Sequence, residues 1–164
     1  MKRLFVAIRA VLYSTGFILL WAWLAGAVRV YDARFGSRLP PGWAPVGIVL
    51  AIPGLLLALA CIATFVIRGD GTPAPFDPPV VFVPTGPYRY VRNPMYLGAA
   101  LALAGYGLFV GSISVVLLSF AFLVVMHLFV ILLEERGLEE RFGESYRAYK
   151  RAVNRWVPRF PGPS

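Results

Sequence analysis

The stretch NPMYLGAALALAGYGLFVGSISVVLLSFAFLVVMHLFVILL, residues 93–133, contains no Asp, Glu, Lys or Arg. A membrane-spanning helix needs about 20 mostly apolar residues, so this stretch is too long for one span and long enough for two. Gly111 and the serine after it form the natural turn between them. We therefore predict a helical hairpin with spans at residues 94–110 and 113–133.

Two further apolar stretches precede the hairpin, at residues 10–28 and 46–67, and each is long enough to cross a bilayer. Hydrophobic residues make up 59% of the 164 residues and charged residues only 15%, with a mean hydropathy of +0.70. So few charges do not cover the surface of a soluble protein. The composition predicts an all-α integral membrane protein with about four transmembrane helices, in a single domain over residues 1–164.

The first apolar stretch has a second interpretation. The basic start MKR, the apolar stretch and the small residues AGA at 25–27 are also the pattern of a cleaved signal peptide. The apolar part has 19 residues, which is longer than the usual apolar region of a signal peptide. Its length therefore favours a retained membrane helix.

Basic residues are distributed unequally between the two sides of the predicted bundle. With the N-terminus inside, 13 lysines and arginines lie on the inner side, against Arg29, Arg34 and Arg38 outside. We therefore predict that both termini are cytoplasmic. The frequent Ala, Gly, Arg and Pro residues are typical of a GC-rich prokaryotic genome, so we expect the inner (cytoplasmic) membrane of a prokaryote. The loop at residues 69–93 and the tail at 134–164, with its short helices, are then cytoplasmic. Orientation and contact with membrane lipids explain the net charge of +8, so no nucleic-acid partner is expected.

Polar residues gather at both cytoplasmic ends of the predicted hairpin. Asn93 and Pro94 are typical of a helix start, as an N-cap followed by proline at the first helical position. A helix N-terminus also binds carboxylate or phosphate, which Arg92 would strengthen unless it only extends to the membrane surface. At the other end, Glu134 and Glu135 either hold a cation or begin a solvated tail. Because the hairpin brings both ends together, these residues predict a composite site.

His127 is the only histidine of the chain, and it lies within the predicted fourth span. It precedes Glu134 by seven residues, so uninterrupted α-helical spacing places both on one face. An ionisable side chain inside the membrane is a functional candidate, the alternative being a hydrogen bond in helix packing. One histidine, the single cysteine Cys61 and two adjacent glutamates do not make a convincing ligand set, so we predict no metal site.

Small residues recur at helical spacing in the predicted third span, at Gly98, Ala102 and Gly105. This spacing favours close packing of helices within the membrane. The alternative is the floor of a groove where a flat ligand approaches the backbone.

One ordered set of motifs resembles a known enzyme superfamily. GPYRYVRNPMYLG (residues 86–98), an apolar run, EE (134–135) and RFGESYRAYKRAVNRWVPR (141–159) together resemble the isoprenylcysteine carboxyl methyltransferases and phospholipid methyltransferases. The resemblance implies a membrane enzyme that transfers a methyl group from S-adenosylmethionine to a small lipophilic or lipid acceptor at the cytoplasmic face. It also implies a set of cofactor-binding residues: Val83, Tyr88, Asn93, Pro94, Tyr96, Gly98 and Glu134.

The catalytic residues and the acceptor stay open. Arg92, Glu135 and His127 are the candidates for a catalytic role. Asn93 stands where the prenylcysteine enzymes usually have histidine, and Val130 stands where they have an arginine that meets the substrate carboxylate. These departures put prenylcysteine in doubt and leave a carboxylate, amine or thiol as the methyl acceptor. The alternative functions are an NADPH-dependent enzyme resembling sterol reductases and a non-catalytic membrane protein.

Overall fold

Helices form most of the residues that the structure describes. The computed structural model describes residues 2–36, 38–69 and 81–159. Its elements are the α-helices α1 (Lys2–Phe35), α2 (Ala44–Arg68), α3 (Pro94–Phe109), α4 (Ile113–Phe129), α5 (Glu135–Phe142) and α6 (Glu144–Ala152), a π-helical turn at Val130–Glu134, and short 3₁₀ helices at Pro41–Trp43 and Gly86–Arg89. The predicted all-α class is confirmed. Residues 70–80 of the predicted loop and 160–164 of the predicted tail lie outside the described residues.

Within the described residues, three helical stretches are long and apolar enough to cross a membrane. They are Leu4–Phe35, Pro41–Arg68 and Ile113–Phe142, with mean hydropathies of 1.8, 2.7 and 2.9. Large apolar side chains on them stay mostly exposed, among them Leu56 at 61% and Phe120 at 60%. Such exposure is unfavourable in water and expected in lipid, so the chain is an integral membrane protein. Helix α3 is apolar but has only 16 residues, so the count of four spans stays a prediction.

Helix α1 extends well beyond the span predicted within it. The apolar stretch covers residues 10–28, whereas the helix runs from Lys2 to Phe35 and includes basic residues on both sides. Hydropathy locates the part of a helix that lies in hydrocarbon, but the backbone hydrogen bonds continue wherever the flanking residues allow them. The exact membrane boundaries and the single-domain organisation stay predictions.

Helices α2 and α3 pack so closely that their backbones touch at glycines. A Cβ atom added to Gly54 of α2 would lie 2.6 Å from the backbone nitrogen of Ala102 and 2.7 Å from the carbonyl oxygen of Gly98. Gly47 and Gly105 face each other in the same way two turns away. Lipid tails provide no hydrophobic drive for association, so this close van der Waals contact holds the two helices together. The glycine spacing seen in the sequence therefore has a packing role.

We expect Gly54→Ala to destabilise the protein by about 1–3 kcal/mol, because the added methyl group must push two backbones apart. The measurement is thermal or denaturant unfolding of the purified protein in a mild detergent. Gly26→Ala is the matched control, since a Cβ at Gly26 of α1 meets nothing within 4 Å. Equal stabilities of the two variants would contradict the packing role of Gly54.

The turn between α3 and α4 is held by polar contacts with α1. Gly111 takes a φ of +68°, and the hydroxyl of Ser112 accepts a hydrogen bond from the backbone nitrogen of Val115 at 3.2 Å. The carboxylate of Asp32 accepts hydrogen bonds from the Ser112 hydroxyl and, at 2.9 Å, from the backbone nitrogen of Ser114. A carboxylate at a helix N-terminus is favourable, so this contact fastens α1 to the hairpin. The first turn of α3 and the π turn consequently meet at the opposite end.

The described part of the loop packs against α5 and α6. The ring of Phe82 contacts those of Phe142, Tyr146 and Tyr149, with centroids 5.4, 5.9 and 5.2 Å away. The hydroxyl of Tyr149 donates a hydrogen bond to the carbonyl oxygen of Tyr88 at 2.6 Å. Burial raises the pKa of Tyr146 and of Tyr149, so both phenols stay protonated. These contacts position the loop beside the start of α3.

Candidate functional site

A carboxylate and a phenol meet at the cytoplasmic end of the predicted topology. The hydroxyl of Tyr96, in the first turn of α3, donates a hydrogen bond to Oε2 of Glu134 at 2.9 Å. Tyr96 is buried and Glu134 is half-buried. The hairpin brings these two residues together although 38 positions separate them in the chain. The juxtaposition of the two helix ends, expected from the sequence, is thus the central feature of the site.

Tyr88 adds a second buried phenol to this region. Burial is the main cause that raises the pKa of Tyr88 well above its ordinary value, and the Cys61 thiol, Glu134 and Tyr96 raise it further. Its hydroxyl therefore stays protonated. Sequence reasoning gave Cys61 no role here, yet the thiol interacts with the Tyr88 side chain. A signal was present, because Cys61 follows Gly47 and Gly54 at seven-residue spacing on the face of α2 that meets α3.

Glu135 lies in a cluster of ion pairs that joins four segments. Its carboxylate accepts two hydrogen bonds from Arg155, from Nε at 2.8 Å and from Nη2 at 2.9 Å. Nη1 of Arg92 lies 3.0 Å and Nζ of Lys150 3.7 Å from the same carboxylate. The hydrogen bonds with Glu135 raise the pKa of Arg155. Glu135 therefore connects α5 to the loop, α6 and the C-terminal residues.

Two side chains near the start of α3 carry buried polar atoms that lack hydrogen bonds. Nε and Nη1 of Arg92 have no hydrogen-bond partner among the described residues, and the side chain is only 10% exposed. Nη1 pairs with Glu135 by distance but without hydrogen-bond geometry. The hydroxyl of Thr85, which sequence reasoning did not single out, is buried and unpaired in the same sense. Burying unpaired donors is unfavourable, so these atoms are suited to a ligand that supplies acceptors.

The other predicted cofactor residues have mainly structural contacts. Helix α3 begins at Pro94, but Asn93 does not cap it with its side chain. Instead, Nδ2 of Asn93 donates a hydrogen bond to the carbonyl oxygen of Arg155 at 3.1 Å. Gly98 lies in the interface of α3 with α2, and Val83 is buried in the loop. The side chains of Tyr88, Tyr96 and Glu134 therefore interact with one another. The contacts of the other four residues are mainly structural.

His127 and Glu134 contact different residues. Nδ1 of His127 accepts a hydrogen bond from Nε1 of Trp156 at 2.9 Å, whereas Glu134 meets Tyr96. The π turn at Val130–Glu134 separates them and changes the spacing on which their predicted shared face depends. Among the described residues, no three His, Cys, Asp or Glu side chains are grouped to hold a metal ion.

An apolar groove of about 780 Å³ runs beside α3. Leu57 of α2, Leu101 of α3 and Phe120 of α4 line its membrane part, and Pro94 and Trp156 line its other end. Among the described residues, no acidic or basic side chain lines the groove. Since Leu101 and Phe120 are exposed on the lipid-facing surface, the groove is open to apolar molecules in the bilayer.

A comparison with models of known protein families shows to which family this chain is related. The model of the phospholipid methyltransferase family matches residues 43–145, which is more than half of the chain. The chain belongs to the phospholipid methyltransferase family. The match begins at the start of α2 and ends within α6, so it contains the α3–α4 hairpin, Tyr96, Glu134 and the loop. The resemblance inferred from the ordered motifs is therefore confirmed.

Two other proteins are similar to parts of this phospholipid methyltransferase family member. Methanethiol S-methyltransferase 1 of Bradyrhizobium diazoefficiens is 32% identical over 104 residues, which cover 63% of this chain and 33% of that protein. The chain therefore spans about a third of the length of that relative. An uncharacterised protein of Haemophilus influenzae is 40% identical over 63 residues, which cover 38% of this chain and all of that protein.

Proposed function

We propose that this family member transfers a methyl group from S-adenosylmethionine to a small lipophilic acceptor at the cytoplasmic face of the membrane. The observation that carries the proposal is a pair of opposite charges around the N-terminus of α3. The carboxylate of Glu134 lies beside its first turn, and the guanidinium of Arg92, which precedes the helix, has two nitrogens without a hydrogen bond beside its ion pair with Glu135. The methionine part of the cofactor has one ammonium and one carboxylate, which need one partner of each kind.

The surrounding residues fit the rest of such a ligand. The phenol of Tyr88 stays neutral, and that of Tyr96 is hydrogen-bonded to Glu134. The faces of both aromatic rings attract a positively charged sulfonium. The buried Thr85 hydroxyl offers a hydrogen bond to a polar group, and Val83 offers an apolar contact. Asn93 would act indirectly, because its side chain holds the C-terminal residues in place.

When bound, S-adenosylmethionine supplies a methyl group activated by the positive charge on its sulfur. A lone pair of the acceptor forms the new bond to the methyl carbon while the carbon–sulfur bond breaks, and that bond's electrons remain on the sulfur. Any proton on the acceptor leaves to water. The protein contributes by holding the two partners in line and by excluding water with its apolar groove.

The groove favours an apolar acceptor that arrives from the bilayer. Its lining has no charged side chain, and Val130 is fully buried among apolar residues. A substrate carboxylate would therefore find no cation in the groove, which favours a thiol or a neutral amine as the acceptor group. The relative named for methanethiol makes the thiol the first acceptor to test.

The test is calorimetric binding to the protein purified in detergent, followed by transfer of a radiolabelled methyl group. We expect S-adenosylmethionine and S-adenosylhomocysteine to bind with micromolar dissociation constants and NADPH not to bind. Labelled methyl transfer to n-alkanethiols and to long-chain amines then identifies the acceptor class. Folded protein that binds NADPH, or that binds neither methyl-donor molecule, would overturn the proposal in favour of a reductase or a non-catalytic protein.

A further inference from the structure

The last described residues form a C-terminal strap (residues 153–159) that is anchored on both sides of Trp156. The carbonyl oxygen of Asn154 accepts a hydrogen bond from the backbone nitrogen of Arg92 at 2.9 Å. On the other side, the backbone nitrogen of Arg159 donates to the carbonyl oxygen of Tyr90 at 2.8 Å. Arg155 adds its ion pair with Glu135. The backbone at Trp156 is therefore held against the loop.

The indole of Trp156 is positioned by a specific partner within the bundle. Its Nε1 donates a hydrogen bond to Nδ1 of His127 at 2.9 Å, so this histidine nitrogen is the acceptor. The indole also packs against the buried cluster that contains Tyr96 and Phe122. The hydrogen bond and the packing together stabilise this orientation of the ring.

In that orientation Trp156 forms one wall of the apolar groove. Trp156 is the largest side chain of the lining, whereas α3 contributes the small residues Ala100 and Ala104. Because Trp156 lines the end of the groove at which Pro94 begins α3, its indole decides how long the groove is. The cytoplasmic end of the groove, where Pro94 begins α3, is next to the same wall.

We propose that Trp156 limits the size of the acceptor that the groove admits and that His127 is the positioning residue that holds it. This inference rests on the proposed function, since the groove is taken as the acceptor site. It gives His127 a role in specificity through a hydrogen bond with Trp156, without contact with the reacting atoms. Removing the indole lengthens the groove, whereas removing only the hydrogen bond loosens the wall.

The test compares wild type with Trp156→Ala, His127→Phe and His127→Gln, using n-alkanethiols of about 1 to 12 carbons as probes. We expect Trp156→Ala to shift the preferred chain to greater length, with kcat/KM rising about fourfold for each additional methylene that becomes buried. The change should fall mainly in KM. His127→Phe should broaden the range of thiol chain lengths that are methylated. His127→Gln should have a range close to that of wild type, because glutamine retains a hydrogen-bond acceptor for the indole of Trp156. Trp23→Ala is the matched control, since Trp23 of α1 is 68% exposed.

Two readouts keep this inference separate from the proposed function. S-adenosylhomocysteine binding should change less than about twofold in every variant, which shows that the cofactor site is intact. The melting temperature in the presence of each thiol reports groove occupancy without any turnover. If no variant transfers methyl groups to thiols, the proposed acceptor class fails. If Trp156→Ala binds cofactor yet keeps the wild-type length profile in both activity and melting temperature, the inference about Trp156 is overturned.

Discussion

Glu134→Gln is expected to weaken the binding of S-adenosylmethionine by about 10- to 100-fold. A hydrogen bond to a charged group contributes about 1.5–3 kcal/mol, and each 1.4 kcal/mol corresponds to a factor of ten. Glutamine still accepts the hydrogen bond that the Tyr96 hydroxyl donates at 2.9 Å, so the local structure should survive. What it lacks is the negative charge that pairs with the ammonium of the cofactor. Calorimetry on the folded variant measures the loss directly.

Glu140→Gln is the matched control for this substitution. Glu140 lies on α5, six residues further along, and its side chain is exposed. The Glu140→Gln substitution removes one negative charge from the same end of the protein but changes no residue of the site. Unchanged cofactor affinity in Glu134→Gln, or an equal loss in both variants, would show that Glu134 does not hold the cofactor.

Glu135→Gln is expected to lower the free energy of unfolding by about 3–5 kcal/mol. The Glu135 side chain is only 8% exposed and pairs with Arg92, which is 10% exposed, and with Arg155. Removing its charge leaves two arginines near each other without compensation, and Lys150 adds a third positive charge. The loop, α6 and the C-terminal strap should then separate from α5 before the membrane helices do.

Unfolding in detergent, followed by limited proteolysis, measures this effect and locates it. We expect the fragment after α5 to become susceptible to protease first. Glu144→Gln is the control, because Glu144 forms exposed ion pairs with Arg147 and Arg151 and its loss should change stability little. A Glu135→Gln protein as stable as Glu144→Gln would show that the ion-pair cluster does not hold these segments together.

Several features of the fold followed from the sequence because they depend on local composition. The uncharged run at residues 93–133 required two helices, and the glycine after the first of them required a turn. That connection alone places the start of α3 beside Glu134. Gly98 and Gly105 were expected to pack closely, and they contact α2. Such features are predictable because apolar length and residue size act over one or two helical turns.

Other features could not be read from local pattern. Asn93 lies at the N-cap position of α3 as predicted, but its side chain does not cap the helix, because its amide donates a hydrogen bond to the carbonyl oxygen of Arg155, 62 residues away. The shared face of His127 and Glu134 assumed an unbroken α-helix, and the π turn interrupts it. Trp156 had no predicted role, since only the folded strap brings it to His127. Each of these depends on contacts between residues far apart in the chain.

The sequence by itself determined an all-α membrane protein, the family to which it belongs and the closeness of the two hairpin ends. These depend on how long a helix must be to cross a bilayer, on a turn and on an ordered set of motifs. Only the tertiary structure decided which glutamate faces Tyr96 and which joins the arginines. Neighbouring residues on a helix point about 100° apart, so two adjacent carboxylates must have different surroundings. Those surroundings come from other segments whose positions no local pattern specifies.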